Sequence, residues 1–295
     1  MTPPTAYEFF ALGTATTSAL SGMLMTEACA GAGVMTVTRW NVTCTFLMHA
    51  AVASLIGAWA SLNIQSIGLL TLSGLLAITI AAPAYYGSMA LLGARPAVLV
   101  FSLNAPLTYL VGILLLGERP SLVALAGLVL VLAGIAVATL PGPGSPGIAH
   151  SRLWLGVGLG LLAALGQAGG TVAARPAMLA GSDPFAAMAV RFGIAVLPLV
   201  LMQMTGLARH FRTTSTTPMP FLYALLGSLI GNGIGMTLLM VALAHAQAGE
   251  VATLAATSPI LILPMVWVRQ RQVPGLVAWL GALVACGGTA LVLAR

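Results

Sequence analysis

The segment FSLNAPLTYL (residues 101–110) is an almost unbroken apolar run with an asparagine and a proline in its middle. A proline inside a helix removes one backbone hydrogen bond and clashes with the preceding turn, at about 3 kcal/mol or more. The surroundings give that defect its meaning. Residues 95–116 form an apolar stretch long enough to cross a bilayer core, and nine others resemble it: 8–30, 36–58, 66–90, 121–140, 153–179, 185–206, 219–243, 250–268 and 274–294. Of the 295 residues 59% are hydrophobic and 5% charged, against about 25% charged in a soluble domain. Eleven arginines, no lysine and five acids cannot clothe a water-facing surface. The chain reads as an all-α integral membrane protein with ten transmembrane helices.

Two longer polar connections interrupt the pattern, at 141–152 (PGPGSPGIAHSR) and 208–220 (ARHFRTTSTTPMP). The first is a Pro/Gly linker near the midpoint, with five apolar stretches on either side. Landmarks recur across it. Arg39-Trp40 and Arg191-Phe192 differ by 152 positions, Pro106 and Pro259 by 153, and Pro120 and Pro274 by 154. Residues 1–140 and 153–295 therefore read as two five-helix repeats. An odd number of crossings in each makes their orientations opposite. Pro106 and Pro259 interrupt corresponding helices, and Pro83 and the glycines of GSLIGNGIGM (227–236) weaken another corresponding pair. Paired interruptions in inverted halves point to a solute site, because non-helical backbone at membrane depth belongs where it lines a cavity or is buried in protein.

These residues, with SLNAPLTYLVGILLLGERPSLVALAGLVLVLAGIAVA (102–138) and its Gly117-Glu118 pair, resemble the drug/metabolite transporter superfamily, specifically its ten-helix EamA-type members. The second half departs from the family pattern, with Arg269 and Arg271 in VWVRQRQVPG (266–275) where Gly-Glu is usual. The resemblance implies export of amino acids and related metabolites, with the aromatic and hydrophobic amino-acid exporters the most similar branch. It also implies residence in a bacterial inner membrane with cytoplasmic termini. The arginines point the other way, since cytoplasmic termini place Arg95, Arg152, Arg209, Arg212, Arg269 and Arg271 at outer-facing ends.

Ionisable residues inside spans are expensive, so each is a functional candidate. Glu27 and Arg39 fall at the same side of the membrane and pair as a gate. Arg95, Arg119, Arg152, Arg209, Arg212, Arg269 and Arg271 sit at helix ends, where snorkelling explains them. Glu118 and Arg119 read as a solvated turn. Solute binding falls to Tyr85 and Tyr86 after Pro83, Phe101 and Asn104 before Pro106, Gln167 on the sixth span, and Asn232 among the glycines. Half-helix ends and freed carbonyls at such breaks suit the carboxylate and ammonium of a zwitterion. Gly227, Gly231 and Gly235 read as close helix packing. His49, His150, His210 and His245 are isolated, and Cys29, Cys44 and Cys286 match no metal spacing. No cofactor, catalytic dyad or nucleic-acid partner is expected; the partners are a small solute and the bilayer, and the working unit is a monomer.

Two other functions compete. A multidrug or organic-cation exporter needs a carboxylate within the cavity, whereas ALGTATTSALSG (11–22) in the first span has hydroxyls and no acid. An intramembrane enzyme, or a structural membrane partner, needs polar residues clustered at one depth. The missing mid-depth acid yields a prediction for coupling: transport into proteoliposomes continues when the pH gradient is collapsed. Uptake that stops on addition of a protonophore contradicts it.

Overall fold

The computed structural model describes residues 6–92, 94–138, 150–204, 218–258, 261 and 276–293, and all regular structure among them is helical. Lipid offers the backbone no hydrogen-bond partners, so each N–H and C=O must be satisfied within the chain. The helices are α1 (Ala6–Ala32), α2 (Val34–Leu55), α3 (Ile64–Gly74), α4 (Ala81–Leu92), α5 (Ala94–Phe101), α6 (Asn104–Leu116) and α7 (Leu122–Ala138). They continue as α8 (His150–Leu179), α9 (Pro184–Met204), α10 (Met219–Gly227), α11 (Met236–Leu243), α12 (Ala248–Ala255) and α13 (Leu276–Leu293). Helix α8 starts inside the stretch read as linker. Among the described residues four segments are long and apolar enough to cross a membrane: Ile64–Met89, Pro96–Leu116, Leu153–Leu179 and Met219–Leu243.

Two of these crossings change gauge midway. A π-helical stretch, Leu75–Ile80, joins α3 to α4, and another, Ser228–Gly235, joins α10 to α11. Their starts differ by 153 positions (228 − 75), the spacing of the sequence landmarks. The first runs directly into α4 at Ala81, so Pro83 stands just after the π-helical stretch. Pro106 follows an outright interruption. Helix α5 stops at Phe101, a turn covers Ser102 and Leu103, and α6 restarts at Asn104. The expectation that proline breaks a continuous helix is thereby corrected. The break precedes it, and its missing N–H falls among the first-turn groups that have no intrahelical acceptor anyway. Pro259 lies outside the described residues, but α12 stops in the same manner before a turn at Ala256 and Thr257.

Packing is reciprocal between the halves. Helix α1 lies along α10, Ser228–Gly235 and α11, while α8 lies along α3, Leu75–Ile80 and α4. Helix α2 packs on α9, and α7 on α13. Small residues permit these approaches. A Cβ on Gly231 or Gly235 would run into Ser21 or Thr17 of α1, and on Gly166 or Gly170 into the backbone of Leu76 or Ser73. Hydroxyls complete the contacts: Ser21 donates to the Gly227 carbonyl at 2.7 Å and Thr14 to that of Gly235 at 2.9 Å. Ser73 donates to Gly170 and Ser88 to Gly156 from the other half. The main core, with Leu70, Val172, Met178, Phe192, Leu243 and Val251, gathers α3, α8, α9, α11 and α12.

Helices α7 and α13 approach most closely at glycine, where a Cβ on Gly127 would fall 2.7 Å from the Gly288 carbonyl oxygen. Gly127→Ala should lower the Tm of the purified protein, since overpacking costs about 1–3 kcal/mol. Gly158→Ala is the control: its Cβ meets nothing within 4 Å, so Tm holds or rises with the better helix former. Equal behaviour of the two variants contradicts the packing.

Candidate functional site

The break between α5 and α6 gathers four of the sequence candidates. The Tyr85 ring lies 4.5 Å from that of Phe101 and 6.0 Å from that of Tyr86, centroid to centroid. The Asn104 side-chain amide donates to the Phe101 carbonyl at 2.8 Å, so it satisfies a group that the interruption leaves open. Ser102 donates to the Leu99 carbonyl at 2.7 Å, and Thr108 to that of Asn104 at 2.6 Å. The second half repeats the device at its own turn, where Thr257 donates to Leu254 and Ser258 to Ala255. Asn104 is buried, while Tyr85, Tyr86 and Phe101 are half-buried. Gln167 is half-buried on α8, one turn before Thr171, whose hydroxyl donates to its carbonyl.

Asn232 belongs to a different group. Its amide donates to Asn41 Oδ1 at 2.7 Å, and the same oxygen accepts from Ser228 at 2.9 Å and more weakly from Thr45 at 3.4 Å. Asn41, Thr45 and His49 recur every four residues, and the last two are buried. His49 is not isolated: Nδ1 lies 2.8 Å from the Thr45 carbonyl and Nε2 3.0 Å from the Thr237 hydroxyl, and its ring stacks with that of Phe192. This polar seam was missed in the sequence, although polar residues every four positions along an apolar helix are its signal.

The largest correction concerns Glu118. Its side chain is only 2% exposed and forms an ion pair with Arg175 of α8. Gly117 adopts φ +65°, a left-handed turn that glycine takes without strain, and it ends α6. The carboxylate then folds back over Gly112, where a Cβ would stand 2.6 Å from its Oε2. Oε1 also accepts the Ala248 N–H at 2.9 Å, so the acid caps the start of α12, where negative charge is favoured. Arg175 Nε donates to the Ala246 carbonyl at 3.0 Å. This latch ties α6 of the first half to α8 and the α11–α12 turn of the second. Arg175 escaped the sequence reading, though a cation inside an apolar stretch is itself a signal. Glu27, near the end of α1, is exposed, and Arg39, near the start of α2, is half-buried.

A cavity of about 560 Å³ opens beside the latch, where Ala58, Ser61, Met178, Asp183, Val241 and His245 are among its walls. Asp183 is occupied in capping α9, accepting the N–H groups of Phe185 and Ala186. No group of three or more His, Cys, Asp or Glu side chains could hold a metal ion among the described residues.

Glu118→Leu alone should destabilise the protein by about 1–3 kcal/mol, because it strands the half-buried Arg175 and leaves the Ala248 N–H without its acceptor. The double variant Glu118→Leu/Arg175→Met should recover most of that loss in a denaturation series. An unchanged midpoint for the single variant contradicts the latch.

The EamA-like transporter family matches residues 5–140 and again 154–294. No curated protein matches the sequence. A solved crystal structure, 18% identical, superposes with a TM-score of 0.79 over 97% of this chain and 95% of its own. That likeness carries the fold. Two consecutive family matches spanning nearly the whole sequence show that this all-helical membrane chain belongs to the EamA-like transporters of the drug/metabolite superfamily.

Proposed function

We propose that the chain is a secondary-type exporter of small amphipathic metabolites, foremost aromatic and hydrophobic amino acids, in the inner membrane of a bacterium. Residues 1–140 and 153–295 act as two five-helix repeats of opposite orientation, joined by the 141–152 linker. The reciprocal packing of α1 and α8 supports this, since each opening helix leans on the other half's interrupted crossing. Transport then proceeds by alternating access. The Glu118–Arg175 latch closes one end, and the Glu27–Arg39 pair gates the other. The protein works as a monomer.

The observation that carries the solute class is the aromatic group at the helix break. Tyr85, Tyr86 and Phe101 present apolar faces beside Asn104, an arrangement that suits one hydrophobic side chain and a few polar contacts. Gln167 contributes from the facing half, and Asn232 contributes from the separate polar seam at Asn41. Hinge motion falls to Pro83, Pro106 and Pro259, which begin or follow interrupted helices. Export of organic cations is the second reading. Against it, the two buried acids among the described residues are committed: Glu118 to Arg175 and the start of α12, and Glu250 to the Gln247 N–H in the capping of the same helix.

Uptake of a panel of labelled amino acids into proteoliposomes tests the proposal. Phenylalanine, tyrosine and leucine should accumulate and choline should not; the reverse ranking contradicts it. Asn104→Ala should weaken apparent affinity by about tenfold or more, the loss of one hydrogen bond to a charged group. Pro106→Ala should slow turnover with little effect on half-saturation.

A further inference from the structure

Arg191 is fully buried in the middle of α9 and uncompensated. Its Nη1 approaches only two thioether sulfurs, Met188 at 3.5 Å and Met240 at 3.4 Å, and these are weak acceptors. Nε and Nη2 have no hydrogen-bond partner among the described residues. Arginine does not give up its proton, so the group stays cationic where charge is most expensive. Even the half-buried Arg175 has both a carboxylate and a carbonyl. A structural cation would have such partners too.

The chemistry of the two orphaned nitrogens is specific. Nε and Nη2 are the donors along one edge of the guanidinium, and their parallel N–H groups match the two oxygens of a carboxylate. The methionines leave that edge unused: both sulfurs approach Nη1, on the other side of the group. They are also unbranched and adaptable, so the guanidinium can shift when the helices part. Arg191 also stands on α9, which packs on α2 across the interface of the halves, next to His49 and Phe192 of the polar seam.

We infer that Arg191 is a binding site for the carboxylate of the transported solute, engaged side-on through Nε and Nη2 while Nη1 rests against the two methionines. This rests on the exporter reading and deepens it: the solute must carry a carboxylate, whereas its ammonium is dispensable at this point. An uncompensated cation is then expected to burden the empty protein and to be relieved by the ligand.

The test uses the purified full chain in detergent, with Tm followed by the fluorescence of its five tryptophans. Three probes are compared at matched concentration: L-phenylalanine, phenylacetate and phenethylamine. Both carboxylates should raise Tm and the amine should not. Arg191→Gln should abolish the carboxylate shift while its ligand-free Tm stays at or above that of the unmodified chain. Arg191→Lys, which keeps the charge and loses the fork, should bind phenylacetate about tenfold or more weakly. Equal shifts by all three probes, no shift with either carboxylate, a shift retained in Arg191→Gln, or a ligand-free Tm of Arg191→Gln well below the unmodified chain each overturns the inference. A phenylacetate shift lost in Arg191→Gln, together with no amino-acid uptake in proteoliposomes, leaves the anion site standing and removes the amino-acid reading instead.

Discussion

The constraint on which the rest of the structure depends is that lipid will not hydrogen-bond to an open carbonyl. At the turns that follow α5 and α12, side chains therefore close the open carbonyls. Asn104 closes the Phe101 carbonyl, Ser102 that of Leu99, and Thr257 that of Leu254. Between the halves, Thr14, Ser21 and Ser73 reach carbonyls of the glycines they face. The result is a bundle whose halves are joined largely by small residues and single hydroxyl bonds at weakened helices. Such contacts are individually modest, at about 0.5–1.5 kcal/mol each, so two arrangements can lie close in free energy.

Electrostatics adds the stronger discrimination. The buried Glu118 pairs with the half-buried Arg175, and the pair draws α6, α8 and the start of α12 together. A pair of this kind adds little net stability against an apolar replacement, but it penalises loss of one partner. It suits a latch more than a strut. Arg191 is the opposite case, a buried charge without a protein partner, and the difference between the two arginines divides structural charge from charge held ready for a solute.

Much of this was legible in the residues. Composition and the length of the apolar stretches led to an all-helical membrane protein, and the 152–154 spacing led to the two-repeat organisation that the family match also carries. The Pro/Gly landmarks marked the irregular helices, yet they left open how each is built. Pro106 stands after its break and Pro83 after a π-helical stretch, whereas Pro176 and Pro198 sit inside continuous helices, a distinction that a pattern of residue types does not display. Glu118 looked solvated because its neighbours Gly117 and Arg119 are turn-like; its burial depends on Arg175, distant in sequence, and on the missing side chain of Gly112. Asn41, Thr45 and His49 were overlooked for the same reason. Their partners, Ser228, Asn232 and Thr237, lie on the opposite half.

The central claim is that the halves separate at the latch and close again during transport. The most direct measurement is the distance between spin labels at Leu115 on α6 and Leu179 on α8, both exposed, in a chain with Cys29, Cys44 and Cys286 replaced by alanine. Pulsed electron resonance in nanodiscs would be recorded with and without L-phenylalanine, and again after Glu118→Gln. The account predicts a short distance in the ligand-free chain and a second, longer population that grows with solute and dominates in Glu118→Gln. One unchanged distance under all three conditions would contradict it.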